Sequence, residues 1–502
     1  MFDETRVGGY ARVSLGLGCA ILLYYLVFRP AYNLWFHPLA KYPGPKLWAI
    51  SQVPWAVAFS SGKFHLRLGE LHEKYGTIVR VGPDELSYTV PEAWNDVMGE
   101  RKGHFENAKA PWYDSPDEHD IIGASYHDHV RMRKLLSYGF STSAMVQQQS
   151  LIIGYVDLLI QRLHEKTKNG QAVVDICSWY NYCTFDIIGD LAFGEPFGSL
   201  EGSELHPWIT LLLGNIRKYA LAVILKRFTL TRVLLPYLVP PKLKRQSAEF
   251  LKISKEKVAK RLAVPFPRPD LMEVMKGSGK GSGLTMTREE LERNANLLTV
   301  AGSETTATTL SGATYLLAKN PDVMAKLAEE IHASFSEEKE MDLLSTAKLT
   351  YLSAVIHESL RVFPPVPNII PRITPSGGNT VLGEHLPAGT VLNIPQRPLF
   401  YDEANFKRAK EFIPERWLPD ATEFANDRRD CFNPFSFGPR NCIGMNLAYA
   451  ESRLILARML WNFDIHVAAR SDNWMEEQQA YLMWDKTPLY MHLSPRDVTR
   501  RV

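Results

Sequence analysis

Apolar positions first cluster in one unbroken run, V-S-L-G-L-G-C-A-I-L-L-Y-Y-L-V-F from Val13 to Phe28, bracketed by Arg12 and Arg29. As a helix this run is about 24 Å long, short of the roughly 30 Å hydrocarbon core of a bilayer. The flanking arginines can snorkel, and Tyr32, Trp35 and Phe36 supply an interfacial belt. The pattern therefore predicts one transmembrane helix over about residues 11–31. No small-residue cleavage site follows it, which disfavours a removed signal peptide. Before the run, arginines are offset by Asp3 and Glu4; after it come Arg29, Lys41 and Lys46. That asymmetry places the bulk of the chain on the cytosolic side. Pro43 and Pro45 read as a stiff spacer, so residues 1–41 form an anchor and linker and residues 42–502 one folded body.

Beyond about residue 50 the apolar spacing is mostly helical. Two stretches break to a strand pattern. One is Ile78 to Val90; the other runs from Thr380 to Ile394, where T-V-L-G-E-H-L-P-A-G-T-V-L predicts short strands joined by a turn at Pro387-Ala388-Gly389. K-G-S-G-K-G-S-G, Lys276 to Gly283, has Gly281 after Lys280 and so lacks the order of a phosphate loop. It reads as a flexible connector between two helices.

The 502 residues carry a net charge of +2, which excludes a nucleic-acid binder held by bulk charge. Five cysteines without a repeated spacing make neither a disulfide framework nor a zinc ribbon, and they fit a reducing compartment. One of them stands apart. In F-S-F-G-P-R-N-C-I-G-M-N, Cys442 lies between Gly438 and Gly444 and just ahead of the helical pattern Leu447 to Leu460. A helix N-terminus favours a thiolate there. The glycines permit a tight turn and close approach of a flat macrocycle, Arg440 can pair with a carboxylate on its edge, and Phe435 can shield the sulfur. A buried structural cysteine would need none of these neighbours.

F-x-x-G-x-R-x-C-x-G resembles the haem-binding signature of the cytochrome P-450 superfamily, with Phe435, Gly438, Arg440, Cys442 and Gly444 at its fixed positions. The resemblance implies a mainly α fold with small β-sheets, helices packed as a triangular prism around a buried b-type haem whose axial thiolate is Cys442. Such ligation favours O–O cleavage. Two further stretches carry the same resemblance. In L-L-T-V-A-G-S-E-T-T-A-T-T-L, Thr305 can bond back to the carbonyl of Ala301 and loosen the helix beside Gly302, making room for dioxygen or water. The resemblance assigns proton delivery to Glu304 and Thr305. In H-E-S-L-R-V-F-P-P, Glu358 and Arg361 share one helical face; the resemblance makes them a buried scaffold triad with Arg416 of P-E-R-W.

Family position further implies that Arg440, Arg372, Arg133 and His129 hold the haem propionates; the family often has tryptophan where this chain has His129. Asp186 to Gly198 and the N-L-W-F-H-P-L-A-K-Y-P-G-P lead-in are similar to the fungal microsomal branch, with secondary-metabolite monooxygenases of the isotrichodermin C-15 hydroxylase type. By the same positions the substrate pocket draws on Ala110 to Ile122 and Trp208 to Leu235. Leu297, Leu298 and Ala301 line it from the oxygen-activation helix, with Val366 to Ile370 and Leu482 within Tyr481 to Trp484 closing it. Those residues suit a lipophilic polyketide, terpenoid or alkaloid. The implied activity is insertion of one oxygen atom from O2 by hydroxylation or epoxidation, at the endoplasmic-reticulum membrane. No flavin or nicotinamide fingerprint is present, so electrons are expected from NADPH through a separate FAD/FMN reductase, with cytochrome b5 as a second donor. Arg131, Lys134, Arg428 and Arg429 are candidates for the docking face. Two other readings remain: a haem-thiolate isomerase or dehydratase that needs no reductase, and a non-enzymatic haem sensor.

Overall fold

The computed structural model describes residues 15–496 except 21, 102, 104–105, 114–117, 169, 171, 208, 211–213, 215 and 278–283. Arg12 and Val13, Trp208 and most of the 276–283 connector lie outside the described residues.

The anchor helix α1, Leu15–Phe36, has a mean hydropathy of 1.4 over its most apolar stretch, with none of it buried against the protein. Its 22 residues span about 33 Å, enough to cross a bilayer core. The helix ends five residues later than the apolar run suggested. Pro30 lacks the N–H that an α-helix interior requires; the turns at Tyr24–Phe28 and Tyr32–Phe36 widen to π-helix on either side of it, and the helix continues. Beyond it the spacer is packed and not free. The Arg80 N–H donates to the Pro43 carbonyl at 2.7 Å, and the Arg80 guanidinium donates to the Asn33 carbonyl at 2.7 Å.

Helices dominate the body. At its centre runs α8, Arg288–Lys319, opened by a capping box in which the Thr287 hydroxyl accepts from the Glu290 N–H and the Glu290 carboxylate accepts from the Thr287 N–H. Most of α8 is buried, packed along α5, Ile176–Phe193. Gly302 serves that packing: a Cβ there would stand 3.1 Å from the Ile188 side chain. The helix is continuous through Gly302, which meets α5 on one side and keeps some accessible surface beside Ala301. Around this pair stand α3, Tyr126–Gly139; α4, Thr142–Lys166; α9, Thr350–Val362; and α10, Met445–Asn462.

The strand expectation over 78–90 is met by an antiparallel hairpin, β1 (Ile78–Gly82) and β2 (Glu85–Tyr88). The 380–394 stretch divides. β6 (Asn379–Val381) and β7 (Glu384–Leu386) form their own hairpin, closed at Leu382 and Gly383, both with positive φ, a type I′ signature. The Leu382 N–H is held by the Asp96 carboxylate at 2.8 Å, which offsets the strain of a leucine there. The 387–389 turn then leads to β8 (Val391–Asn393), which joins a different sheet. That sheet has the order β1-β2-β8-β5-β3, with β5 at Arg372–Ile373 and β3 at Ala108–Lys109.

Candidate functional site

The Cys442 segment is a tight loop closed by its own backbone. The Cys442 N–H donates to the Phe435 carbonyl at 2.8 Å, and Ser436 and Gly438 turn at positive φ. Gly438 is required by this turn: a Cβ on it would fall 2.1 Å from the Met98 carbonyl oxygen. Gly444 is not so constrained, since a Cβ there would meet nothing nearer than Phe140 and, at 4.0 Å, the Cys442 sulfur. Phe435 packs on Tyr449, ring centroids 5.0 Å apart. The sulfur is accessible, although protein encloses the residue on most sides. That enclosure prevails and raises the thiol, with the Gly444 N–H and the Arg133 guanidinium opposing it.

Accessible surface also interrupts α8 at its centre. Leu297, Ala301 and Thr305, spaced by one turn each, are open while the positions between them are mostly buried. Such a stripe on a core helix marks an internal cavity. The Thr305 hydroxyl donates to the Ala301 carbonyl at 2.6 Å, as its spacing predicts. Glu304 points elsewhere. Its carboxylate is buried against the ammonium of Lys486, which also donates to the Thr308 hydroxyl at 2.7 Å. The carboxylate's other oxygen is buried without a partner among the described residues. Thr305 and Glu304 therefore face about 100° apart around the helix, and Lys486 is a neighbour that the sequence pattern did not reveal.

Of the expected pocket residues, Leu297, Ala301, Val366, Ile370 and Leu482 retain accessible surface, whereas Leu298 is packed in the central core. Asn368, within the Val366–Ile370 segment, is buried with neither amide atom hydrogen-bonded among the described residues. Polar capacity of that kind sits in a segment that reads as apolar in sequence.

A cavity of about 1190 Å³ opens beside Arg372 and Arg440, with Glu106, Lys109 and Ala124 also on its wall. Arg440 holds Glu106 through both guanidinium arms and donates to the Ala124 carbonyl at 3.2 Å. Arg372 lies 3.9 Å from the same carboxylate. Lys109 stands directly across the β3–β5 pair from Arg372, so two cations project to one face. Like charges so placed repel. Burial, then Arg372 and Arg440, bring the Lys109 ammonium down to about 7. Burial, then these cations and Arg133, bring His129 down to about 3. Burial takes Arg372 down to about 10. Arg133 itself donates to the Asn441 carbonyl at 2.7 Å and braces the cysteine loop.

The scaffold residues are fully buried. Arg361 grips Glu358 with two bonds of 2.8 and 2.7 Å, and Arg416 Nε reaches Glu358 at 3.0 Å. The Ile413 and Trp417 N–H groups complete the carboxylate, each at 2.9 Å. Arg416 also pairs with Asp427 at 2.6 Å, a partner not foreseen. Burial alone would push Glu358 up; the two guanidiniums and the Ile413 N–H win, and its carboxyl is lowered. Among the expected docking cations, Arg131 is paired with Asp128 and Glu290, Arg428 with Glu92, and Arg429 donates to the Arg416 carbonyl.

A family model described as cytochrome P450 matches residues 42–493. The chain belongs to the cytochrome P450 family. It is 47% identical over 500 residues to cytochrome P450 monooxygenase bet2 of Neocamarosporium betae, covering 98% of this chain and 95% of that protein. It is 44% identical over 486 residues to the trichothecene C-15 hydroxylase of Fusarium sporotrichioides, 96% and 98% covered. To the averantin hydroxylase of Dothistroma septosporum it is 43% identical over 501 residues, 98% and 94% covered. It is thus a P450 monooxygenase of the fungal secondary-metabolism kind, and membership implies a haem-thiolate cofactor. The residues fit that group. An accessible sulfur stands beside Arg133, and among the described residues Arg372 and Arg440 share the Glu106 carboxylate while Lys109 answers to Asp120 and Glu106. Such a cage suits a dianionic edge such as two propionates.

Proposed function

We propose that this P450 hydroxylates or epoxidises a lipophilic intermediate of secondary metabolism, a polyketide, terpenoid or alkaloid. Its electrons come from NADPH through a diflavin reductase on the endoplasmic-reticulum membrane, with cytochrome b5 able to give the second. The overall reaction is RH + O2 + 2e⁻ + 2H⁺ → ROH + H2O. Bound haem, held by Cys442 and by the Arg372, Arg440 and Lys109 cage, would supply oxygen activation.

The protein's own residues do the rest. Thr305, opened to the internal cavity and anchored to the Ala301 carbonyl, positions a hydroxyl for proton delivery. Glu304 serves as the proton relay to Thr305, and reaching it requires a rotamer change that breaks the pair with Lys486. Glu358, Arg361 and Arg416 hold the frame. Residues 1–41 serve as anchor and linker, and 42–502 as the haem domain. Exposed apolar residues support one membrane-facing side: Leu47, then Val53 and Val57 on α2 (Val53–Ser60), and Val233 and Tyr237 on α7 (Thr229–Leu238). α2 and α7 each pack on α6, Ile216–Arg227. The mouth of the pocket would open towards the bilayer that holds a lipophilic substrate.

The observation that carries this reading is the Thr305 hydroxyl in the open stripe of a core helix, next in sequence to the buried acid Glu304. An isomerase or dehydratase, or a sensor, needs no proton relay. In holoenzyme with reductase and NADPH, Thr305→Ala should lower product formed per NADPH by about tenfold or more, with hydrogen peroxide appearing instead. Product formed equally well without reductase, or coupling unchanged in the variant, would remove the monooxygenase assignment of these residues.

A further inference from the structure

Glu304 and Lys486 form an ion pair whose side chains are almost fully enclosed, 3% and 5% exposed. Lys486 reaches it from outside the helical core. It follows the short hairpin of Gln479–Ala480 and Trp484–Asp485, and the next two residues, Thr487 and Pro488, are exposed. Its ammonium also donates to the Thr308 hydroxyl at 2.7 Å, and that hydroxyl donates in turn to the Glu304 carbonyl at 2.7 Å. The lysine is thus fastened to α8 at two positions one turn apart.

A buried ion pair that serves only the frame is stable when its remaining polar atoms are met as well, because each unmet one forfeits its hydration. Glu358 is of that kind: donors from Arg361, Arg416, Ile413 and Trp417 meet both its oxygens. Glu304 differs. Lys486 meets one of its oxygens, and the other is buried without a partner among the described residues. The carboxylate is therefore tethered where it is only half satisfied. Its departure would not strand the lysine either, since the Thr308 hydroxyl still accepts from the ammonium. The next residue, Thr305, faces the internal cavity about 100° round α8.

We propose that Lys486 is a positioning residue that holds the Glu304 carboxylate away from Thr305, so that proton delivery waits on opening of the pair. This rests on the relay assigned above and deepens it, because the charge partner of Glu304 then governs the relay instead of bracing the frame. Without Lys486 the carboxyl takes up a proton, since burial without a cation disfavours the charged form. It is then free to turn towards Thr305. In the absence of substrate the excess protons and electrons leave as peroxide: NADPH + H⁺ + O2 → NADP⁺ + H2O2.

The test compares holoenzyme of the wild type, Lys486→Met, Lys486→Arg and the double variant Lys486→Met with Glu304→Gln. Infrared difference spectra of the ferric proteins need no turnover. Lys486→Met should show a protonated-carboxyl stretch that is missing from wild type and from the double variant. With reductase and NADPH but no substrate, Lys486→Met should form peroxide about threefold or more faster than wild type, because the tethered population is released. Lys486→Arg keeps the cation and should stay at the wild-type rate; the double variant should return to that rate or below it. Lys486→Gln, which keeps a donor and loses the charge, gives the same two readouts if the methionine variant does not fold. Peroxide unchanged in the neutral variants while wild type consumes NADPH overturns the proposal. So does a carboxyl stretch unchanged by loss of the lysine, or a peroxide leak that persists in the double variant, as a purely structural role would give. No NADPH consumption by any form would remove the monooxygenase reading and this inference with it, a pattern distinct from the others.

Discussion

Replacing Arg361 by methionine should cost about 3–5 kcal/mol of folding stability and strip the protein of haem during purification. The cost arises because Glu358, with no exposed surface, would be left as a buried carboxylate facing only Arg416 and two N–H donors. Against a typical total of about 5–15 kcal/mol, that is a large share. Replacing both Glu358 and Arg361 by methionine should cost less than the sum of the single changes, because neither charge is then stranded. Denaturant titration of the holoprotein measures all three. A single-variant cost under about 1 kcal/mol would show the pair to be no stronger than a surface one. The same pair gives a sign for acid. Glu358 is depressed in the fold by its guanidinium partners, so its contribution is full above the ordinary carboxylate range near about 4.3. It is lost as pH falls below that range through the depressed folded value.

The second large effect belongs to Cys442. Cys442→Ala removes the sulfur and adds no bulk to a loop whose shape is set elsewhere, by the Phe435 carbonyl bond and the positive φ at Gly438. The expected result is a folded chain with haem content reduced or bound without thiolate, and oxygenation at the level of a control lacking enzyme. Circular dichroism checks the fold, and pyridine haemochrome content with product analysis checks the chemistry. Undiminished turnover would mean that the sulfur is a packing residue.

Much of this site was legible in sequence where the determinants are local. The cysteine loop, the Thr305-to-Ala301 bond and the Glu358–Arg361 pair each lie within a few residues of chain, so helix geometry and turn chemistry suffice to place them. What escaped is set by contacts between distant segments. Lys486 finds Glu304 across 182 positions, and Arg440 finds Glu106 across 334. Lys109 becomes a cage residue only through its register with Arg372. Gly302 has a second role that spacing does not reveal, a helix-to-helix contact with Ile188. The anchor helix outran its apolar run because π-turns let it pass Pro30, which residue spacing alone does not reveal.

All of these assignments depend on sulfur-to-iron ligation at residue 442, and one spectrum addresses it. The purified protein, reduced with dithionite and exposed to carbon monoxide, should show a Soret band shifted far to the red of that of a histidine-ligated haem. A band at the histidine-ligated position in freshly prepared, folded protein, or no haem band at all, would contradict the account.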